Sequence, residues 1–581
     1  MVRTSVDRVW IDPAALRCRT LRIGALPVVN AVLDRLGFDD LVAAYLPEPD
    51  ARCRLAPAKA IGVMVRNLAV GRRPLYGLTA WAGGYEPGRL GLSSAETAAL
   101  NDDKTGRALD VLFAADRASL LTALSLRVIH RYQLEVSELH NDSTSITLYG
   151  AYRDATGTAR AGVRPPRPAR GHSKDHRPDL KQLVQILTVT ADGAVPLTYR
   201  LADGNTEDST THIDTWDTLV NLVGGPDFTY IADCKLATRD NMDHIAGRGG
   251  RFLTVLPRTR KEDGIGRTWM ASGTPAWEQV SRRPGRRKNG PDDIYWAAQA
   301  PACSAEGHRI CWIRSSVKRT DDAAARLDRI ERARARLSEL DHTLAAPRCQ
   351  LKTRSAVEAA AAAILTDTGA ARWVRAEVTD TVSHEHRQQK RGRPGKNTAY
   401  RRIEHHHFHI EAVTNSDAVA FDAASDGCFP FITNTDAPAA DLLRMYKAQP
   451  HIERRHATYK GVIEAAPVML HNDARIDALS FCLYAALLVH ALIERQLRQA
   501  MTTNGIPSLP LYHEDRACKA PTATRVFEIL EPLAATAIVH DDQILTINAP
   551  TLDTLQTQLI TLLKVPHSAY APTATPPRNS R

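Results

Sequence analysis

A chain of 581 residues has room for several domains, and its 44% hydrophobic content is that of an ordinary globular protein. The 75 lysines and arginines exceed the 65 aspartates and glutamates, giving a formal charge of +10 that favours a polyanionic partner, because neutralised phosphates release counterions. Nine cysteines with no C-x-x-C pair argue against a zinc ribbon or a disulfide framework.

Met1 to Trp10 has no apolar leader core, and the longest apolar run, Phe481 to Ile493, is short for a bilayer span and is broken by His490. No membrane partner is expected, and the location expected is the bacterial cytoplasm, with the nucleoid.

Residues 1–135 read as a helical N-terminal domain. Apolar residues recur at helical spacing in Ile23 to Leu36, Ala56 to Val70 and Arg107 to Val128. The basic loop Gly71 to Gly77 is expected to give this domain a DNA-facing side, with a solvated surface that has no partner as the alternative.

From 136 to 258 the pattern changes. Leu139 to Tyr149 reads as a strand carrying Asp142, followed by the long basic loop Arg160 to Lys181. Leu183 to Thr190 and Val195 to Leu201 alternate as strands about an Asp192-Gly193 turn. Thr211 to Val223 carries Ile213, Trp216, Leu219, Val220 and Val223 on one helical face, with Asp208 and Ser209 as N-cap candidates. Phe228 to Asp233 is a short apolar strand, Ala237 to Ala246 a helix and Phe252 to Leu256 a strand. The order β-β-β-α-β-α-β is that of a ribonuclease H-like α/β core. Its first and fourth strands are neighbours, which places Asp142 beside Asp233.

Residues 259–435 read as an α+β insertion domain. It holds the Gly-, Pro- and Arg-rich stretch Arg282 to Gly290 and a charged helix with Leu327, Ile330, Leu337, Leu340 and Leu344 as its seam. An Ala-rich helix Ala356 to Leu365 and strands Trp373 to Val378, Ile403 to Val413 and Phe429 to Thr433 follow. Residues 436–502 are the helical second part of the core, with Pro450 in the first turn of a helix bearing Glu453. Residues 503–581 are a mixed C-terminal appendage with a Pro-rich end.

The chemistry lies in three acidic residues far apart in sequence. Asp142 and Asp233 each accompany a buried strand, and Glu453 is the third carboxylate in a distinctive context. It stands in Tyr446-x2-Gln449-x3-Glu453-x6-Lys460. These residues resemble the Tyr-Arg-Glu-Lys signature of the DDE transposases of bacterial insertion sequences, in the large IS-four superfamily. The stretch Gly171 to Gln182, Gly204-Asn205, and Asp426-Gly427 to Asn434 resemble its IS-sixteen-thirty-four-like branch. The resemblance runs from about residue 95 to 500. Two departures stand out: Gln449 replaces the Arg, and Cys234-Lys235 follow Asp233 where the family often has Arg-Gly.

The resemblance implies a DNA transposase that binds terminal inverted repeats, cuts DNA and joins the freed end to target DNA by cut-and-paste transposition. Asp142, Asp233 and Glu453 would be the catalytic residues and the ligands of two Mg²⁺ per site, with Mn²⁺ able to substitute; hard cations want oxygen ligands. Tyr446, Gln449, Lys460, Lys174, Arg177 and Lys181 would contact DNA. A homodimer in the synaptic complex and excision through a hairpin are further implied, with Trp296 or Trp312 as the aromatic that stacks on a flipped base. Two other readings stand beside this one: a catalytically inactive, transposase-derived DNA-binding protein, and a metal-dependent nuclease without joining activity.

Two motifs remain outside this reading. Arg391-Gly392-Arg393-Pro394 resembles the core of an AT-hook, and a basic turn is the alternative. His405-His406-His407-Phe408-His409 lies on a predicted strand, where adjacent histidines face opposite ways, and is read as structural.

Overall fold

The computed structural model describes residues 16–571, apart from residues 51, 274, 286–289, 347–348, 466–469, 513, 515 and 541–542. The start Met1 to Trp10, the Pro-rich end and part of the Arg282 to Gly290 stretch therefore lie outside the described residues. The chain forms two compact units, residues 1–253 with 444–581, and residues 254–443. The fold is mixed α/β, with a large mixed sheet and many helices.

In the first unit, strand β1 (Arg17–Arg22) precedes a helical region. The single helical run expected over Arg107 to Val128 is two helices, Asp102–Ala114 and Arg117–Tyr132. Asp116 breaks it by accepting the Ser119 N–H as the N-cap of the second helix.

Five strands then build the sheet of this unit: β2 (Glu138–Leu148), β3 (Lys181–Thr190), β4 (Pro196–Ala202), β5 (Thr229–Ile231) and β6 (Arg251–Val255). Their order is β4-β3-β2-β5-β6. β2, β3 and β4 form an antiparallel meander, while β2, β5 and β6 run parallel. Parallel neighbours need a crossover. The helices His212–Val223 and Arg239–Gly247 supply the two crossovers, and Gly224 at φ +84° ends the first.

That first helix is not capped by Asp208 or Ser209. Its N-cap is Thr211, without a side-chain cap bond, because Asp208 and Ser209 lie in a separate 3-10 turn, Asp208–Thr210, ahead of it.

The helix Asp473–Thr503 is the centre of this unit. It is long and apolar enough to cross a membrane by length and composition, and 94% of its most apolar window is buried inside the protein. The apolar run Phe481 to Ile493 is the middle of this one continuous helix, whose ends carry the charged residues. At the chain's far end, β1 pairs with β13 (Ala534–His540), which pairs with β14 (Gln543–Asn548). This three-stranded sheet joins the two ends of the chain and was absent from the sequence reading.

The second unit holds β7 (Glu278–Arg283), β8 (Asp293–Gln299), β9 (Arg309–Ser315) and β12 (Cys428–Thr433), antiparallel in the order β12-β9-β8-β7. Strands β7 to β9 lie where the sequence showed only a loop leading to a helix. The helices Ser316–Leu344 and Arg354–Asp367 follow. They pack against the base of a long two-stranded ribbon, β10 (Val374–Gln388) with β11 (Tyr400–Thr414). Trp312 is fully buried on β9, so it is not available to stack on a base.

Candidate functional site

The parallel register between β2 and β5 builds the site. Its last pair is His140 with Ile231. Asp142 and Asp233 each lie two residues beyond that pair, so the two carboxylates leave neighbouring strands side by side. β5 stops after three residues, whereas β2 continues along β3. The end of β5 leaves Asp142 in mid-strand without a parallel neighbour.

The electrostatics record this proximity. Burial pushes the Asp142 carboxyl up to about 6; Lys174 opposes this, while Asp233 and Asp208 add to it. Burial also raises Asp233, against the Lys235 N–H donated to its Oδ1 at 3.0 Å and the charge of Lys174.

Lys174 stands among these acids. Its Nζ lies 3.1 Å from Asp208 Oδ2 and 3.6 Å from Asp142 Oδ1, and donates to the Ser143 carbonyl at 2.7 Å and hydroxyl at 2.8 Å. Burial works against its charge, yet Asp142, Asp208 and Asp233 together raise its pKa. Burial likewise works against an ionised Asp208. The Ser143 hydroxyl, donating at 2.6 Å, and Lys174 outweigh it and hold Asp208 below the usual carboxylate range.

Backbone packing delivers both Asp208 and Lys174. The basic loop turns back so that Ala169 bridges to Gln182 on β3, and Gly204 N–H donates to the Arg167 carbonyl at 3.0 Å. A Cβ on Gly204 would stand 1.9 Å from the Gln182 carbonyl oxygen, and one on Gly171 would stand 2.2 Å from that of Gly204. Only glycines allow this approach. It seats the turn that leads to Asp208 against the loop that carries Lys174.

Glu453 is exposed on the helix Pro450–Ala457. That helix is fixed by Arg455, which donates to the Gly193 and Ala194 carbonyls at 2.9 and 2.8 Å and to Glu494 at 2.8 Å. Tyr446 ends the preceding helix, Ala439–Tyr446. Burial raises its hydroxyl pKa first, and Asp233, Cys234, Glu453 and Asp142 raise it further. The Tyr446 hydroxyl thus lies in the field of all three predicted carboxylates.

The predicted DNA-contacting residues divide. Gln449 is buried and spends its amide on His140 Nδ1 at 3.0 Å and the Asn141 carbonyl at 3.2 Å. It therefore faces β2. Lys460 lies on a π-helical turn, Thr458–Val462, and pairs with Asp175 at 2.7 Å; Asp175 also accepts from Thr147 at 2.7 Å. The π turn continues directly from the helix that carries Glu453. Arg177 pairs with Asp179 and lies over the Tyr149 ring. Lys181 caps the Ala151 and Tyr152 carbonyls.

The sequence reading missed Asp208 as a member of the site and missed His456. His456 is buried, with Nε2 3.6 Å from Asp142 Oδ2. Burial, then Lys174 and Lys460, push it down to about 3, so it is a neutral imidazole at physiological pH. Its spacing from Glu453, three residues on the same helix, was the available signal.

The donors suit a hard divalent cation: oxygen ligands, two of them carboxylates that burial raises and that a cation would stabilise in the ionised form. Among the described residues, however, no three His, Cys, Asp or Glu side chains stand together as a metal-holding group. Lys174 supplies the positive charge beside Asp142 and Asp208.

Residues 18–126 match a family described as a domain of unknown function, DUF4277. A search of curated proteins finds no match. Among solved structures, the cryo-EM structure of the piggyBac transposase synaptic complex with hairpin DNA is similar at a TM-score of 0.36 and 7% identity, covering 87% of this chain and 78% of that chain. A likeness of this size decides neither fold nor function.

Proposed function

We propose that this chain is a DNA transposase of the DDE type, with a ribonuclease H-like core interrupted by the unit of residues 254–443. The observation that carries the reading is the register that sets Asp142 beside Asp233, with the Tyr446 hydroxyl in the field of Asp233, Glu453 and Asp142. Clustered, buried carboxylates cost stability, and burial lifts Asp142 to about 6. Such a cost is expected where the cluster has work to do.

In this reading Asp142, Asp233 and Glu453 hold Mg²⁺ or Mn²⁺, which when bound would stabilise charge on the attacked phosphodiester and activate the attacking oxygen. Lys174 holds Asp208 and faces Asp142, so it both balances the acids and presents a cation to a phosphate oxygen. Tyr446 donates its hydroxyl to the DNA backbone. Lys460 is oriented through Asp175. Gln449 and Arg455 position the Glu453 helix without touching DNA. Double-stranded DNA with terminal repeats, target DNA and a second copy of the chain are the proposed partners.

The test is cleavage of labelled duplex DNA that carries the sequence flanking this gene, by wild type and Asp233→Ala, with Mg²⁺, Mn²⁺ or EDTA. Metal-dependent cutting at a repeat end that the variant loses is the expected result. Specific binding without cutting by the wild type in either metal would replace this reading by a catalytically inactive DNA-binding protein. Lys174 among the acids is the observation that favours that second reading.

A further inference from the structure

The ribbon of the second unit is anchored at its base. Val374, Val378 and Ile410 enter a cluster with Ile330, Leu337 and Val357 of the supporting helices. Beyond that base, residues 379–387 are exposed, and so is most of the opposite strand from Tyr400 to His409. At about 3.3 Å per residue, this distal part projects roughly 30 Å. A two-stranded ribbon with both faces in water is marginal by itself.

Charge is distributed along it unevenly. The histidines near the base are matched by acids: His409 with Asp341 at 2.7 Å, His406 with Asp380 at 2.6 Å and His405 with Glu385 at 3.0 Å. The tip is not matched. Residues 387–402 contain seven lysines and arginines and no acid. Arg402 lies 3.7 Å from Glu404; among the described residues the other six have no acidic partner.

At the turn, Gly392 has φ +150° with nothing within 4 Å of a Cβ position, and Pro394 follows Arg393. The Gln388 side chain donates to the Gly392 carbonyl at 3.0 Å, and Gly395 N–H to Thr398 at 2.7 Å, which braces the loop from both sides.

We propose that this ribbon is a separate DNA-binding arm whose Arg391-Gly392-Arg393 tip enters the minor groove of A·T-rich duplex. The narrow groove of such DNA concentrates negative potential and attracts inserted arginines. A glycine between two arginines lets the backbone approach the groove floor, where any side chain would stand off. The proposal does not depend on the carboxylate cluster cutting DNA.

The experiment uses the full chain and fluorescence anisotropy with two labelled 20-base-pair duplexes, one A·T-rich and one G·C-rich, across a salt series. For the A·T-rich duplex, the Arg391→Ala/Arg393→Ala variant should bind roughly ten-fold more weakly near 0.15 M salt, with a salt slope smaller by about 2. The G·C-rich duplex should lose much less. Netropsin should compete with wild type on the A·T-rich duplex. Arg391→Lys/Arg393→Lys, which keeps the charge, should recover only part of the loss. Unchanged affinity and slope would overturn the arm. Equal losses on both duplexes, or full recovery by lysine, would overturn the minor-groove assignment in favour of contact with phosphates alone. Because the tip is exposed, melting temperature should not move, which separates these outcomes from misfolding.

Discussion

The positions of Asp142 and Asp233 were legible in the sequence because one lies in an apolar strand and the other just after one, and a parallel register is enough to bring them together. Asp208 was not, since its place depends on a turn after β4 meeting the loop that carries Lys174. It bonds to Ser143 and Lys174 and holds them beside Asp142. On the proposed reading, in which the acids would hold a metal ion, Asp208→Asn is expected to lower single-turnover DNA cleavage roughly 10- to 100-fold, the range for residues that support a metal site from behind. It should cost only about 1 kcal/mol in urea unfolding. Equal losses in cleavage and in folded fraction would make Asp208 a structural residue only.

At the scale of elements, the Glu453 helix is tied to its neighbours through Arg455. Arg455 and Glu494 form a buried pair at 2.8 Å, and Arg455 also satisfies two carbonyls of the β3–β4 turn. Removing the arginine leaves Glu494 buried with Arg498 as its remaining cation, at 3.3 Å. Arg455→Ala is therefore expected to cost about 3 kcal/mol, the lower end for a broken buried pair, measured by urea titration of the full chain.

The glycine contact at the mouth of the basic loop makes a second prediction. Gly204→Ala forces a Cβ against the Gln182 backbone. The loop should shift at a cost of about 1–3 kcal/mol, and cleavage should fall more than DNA binding. Retention of full cleavage would mean that the loop does not position Lys174 for the reaction.

For the whole molecule, acid stability is set in part by the core helix. His490 is buried, its Nε2 2.9 Å from the Ala69 carbonyl and its ring edge-on to Phe527. Burial pushes the imidazole down to about 4; the Ala69 carbonyl and Glu494 oppose this, while Arg455 and Arg72 reinforce it. Unfolded, the same histidine takes up a proton near its ordinary value. Between about 6.5 and 4 the unfolded state therefore binds more protons than the native state. Stability should fall as pH is lowered through that window, by about 2–3 kcal/mol from this residue, and be insensitive to it above. Denaturant titrations from pH 7.5 to pH 4.5 on wild type and His490→Gln read this directly. Buried His456 and His212, pushed down to about 3 and about 4, contribute in the same window, so a wild-type slope no steeper than the variant's would show that His490 is not among the groups responsible.

By itself the sequence determined the local elements whose pattern is periodic. The β2–β3–β4 meander, the helices that follow and the strand before Asp233 are all written in alternating or helical apolar spacing, which needs no distant partner to be read. The candidacy of Glu453 comes from the resemblance of Tyr446, Gln449, Glu453 and Lys460 to a family signature, and the sequence alone shows only that it lies in a helical stretch. What only the tertiary structure decided are contacts between segments far apart in the chain. These are the pairing of β1 with β13, the inward turn of Gln449 onto His140, the approach of His456 to Asp142 and the seating of Lys174 between Asp142 and Asp208. The physical reason is the same in each case. A polar side chain carries no periodic signal of its own, so whether it meets solvent, DNA or another buried charge is settled by the backbone that packs around it.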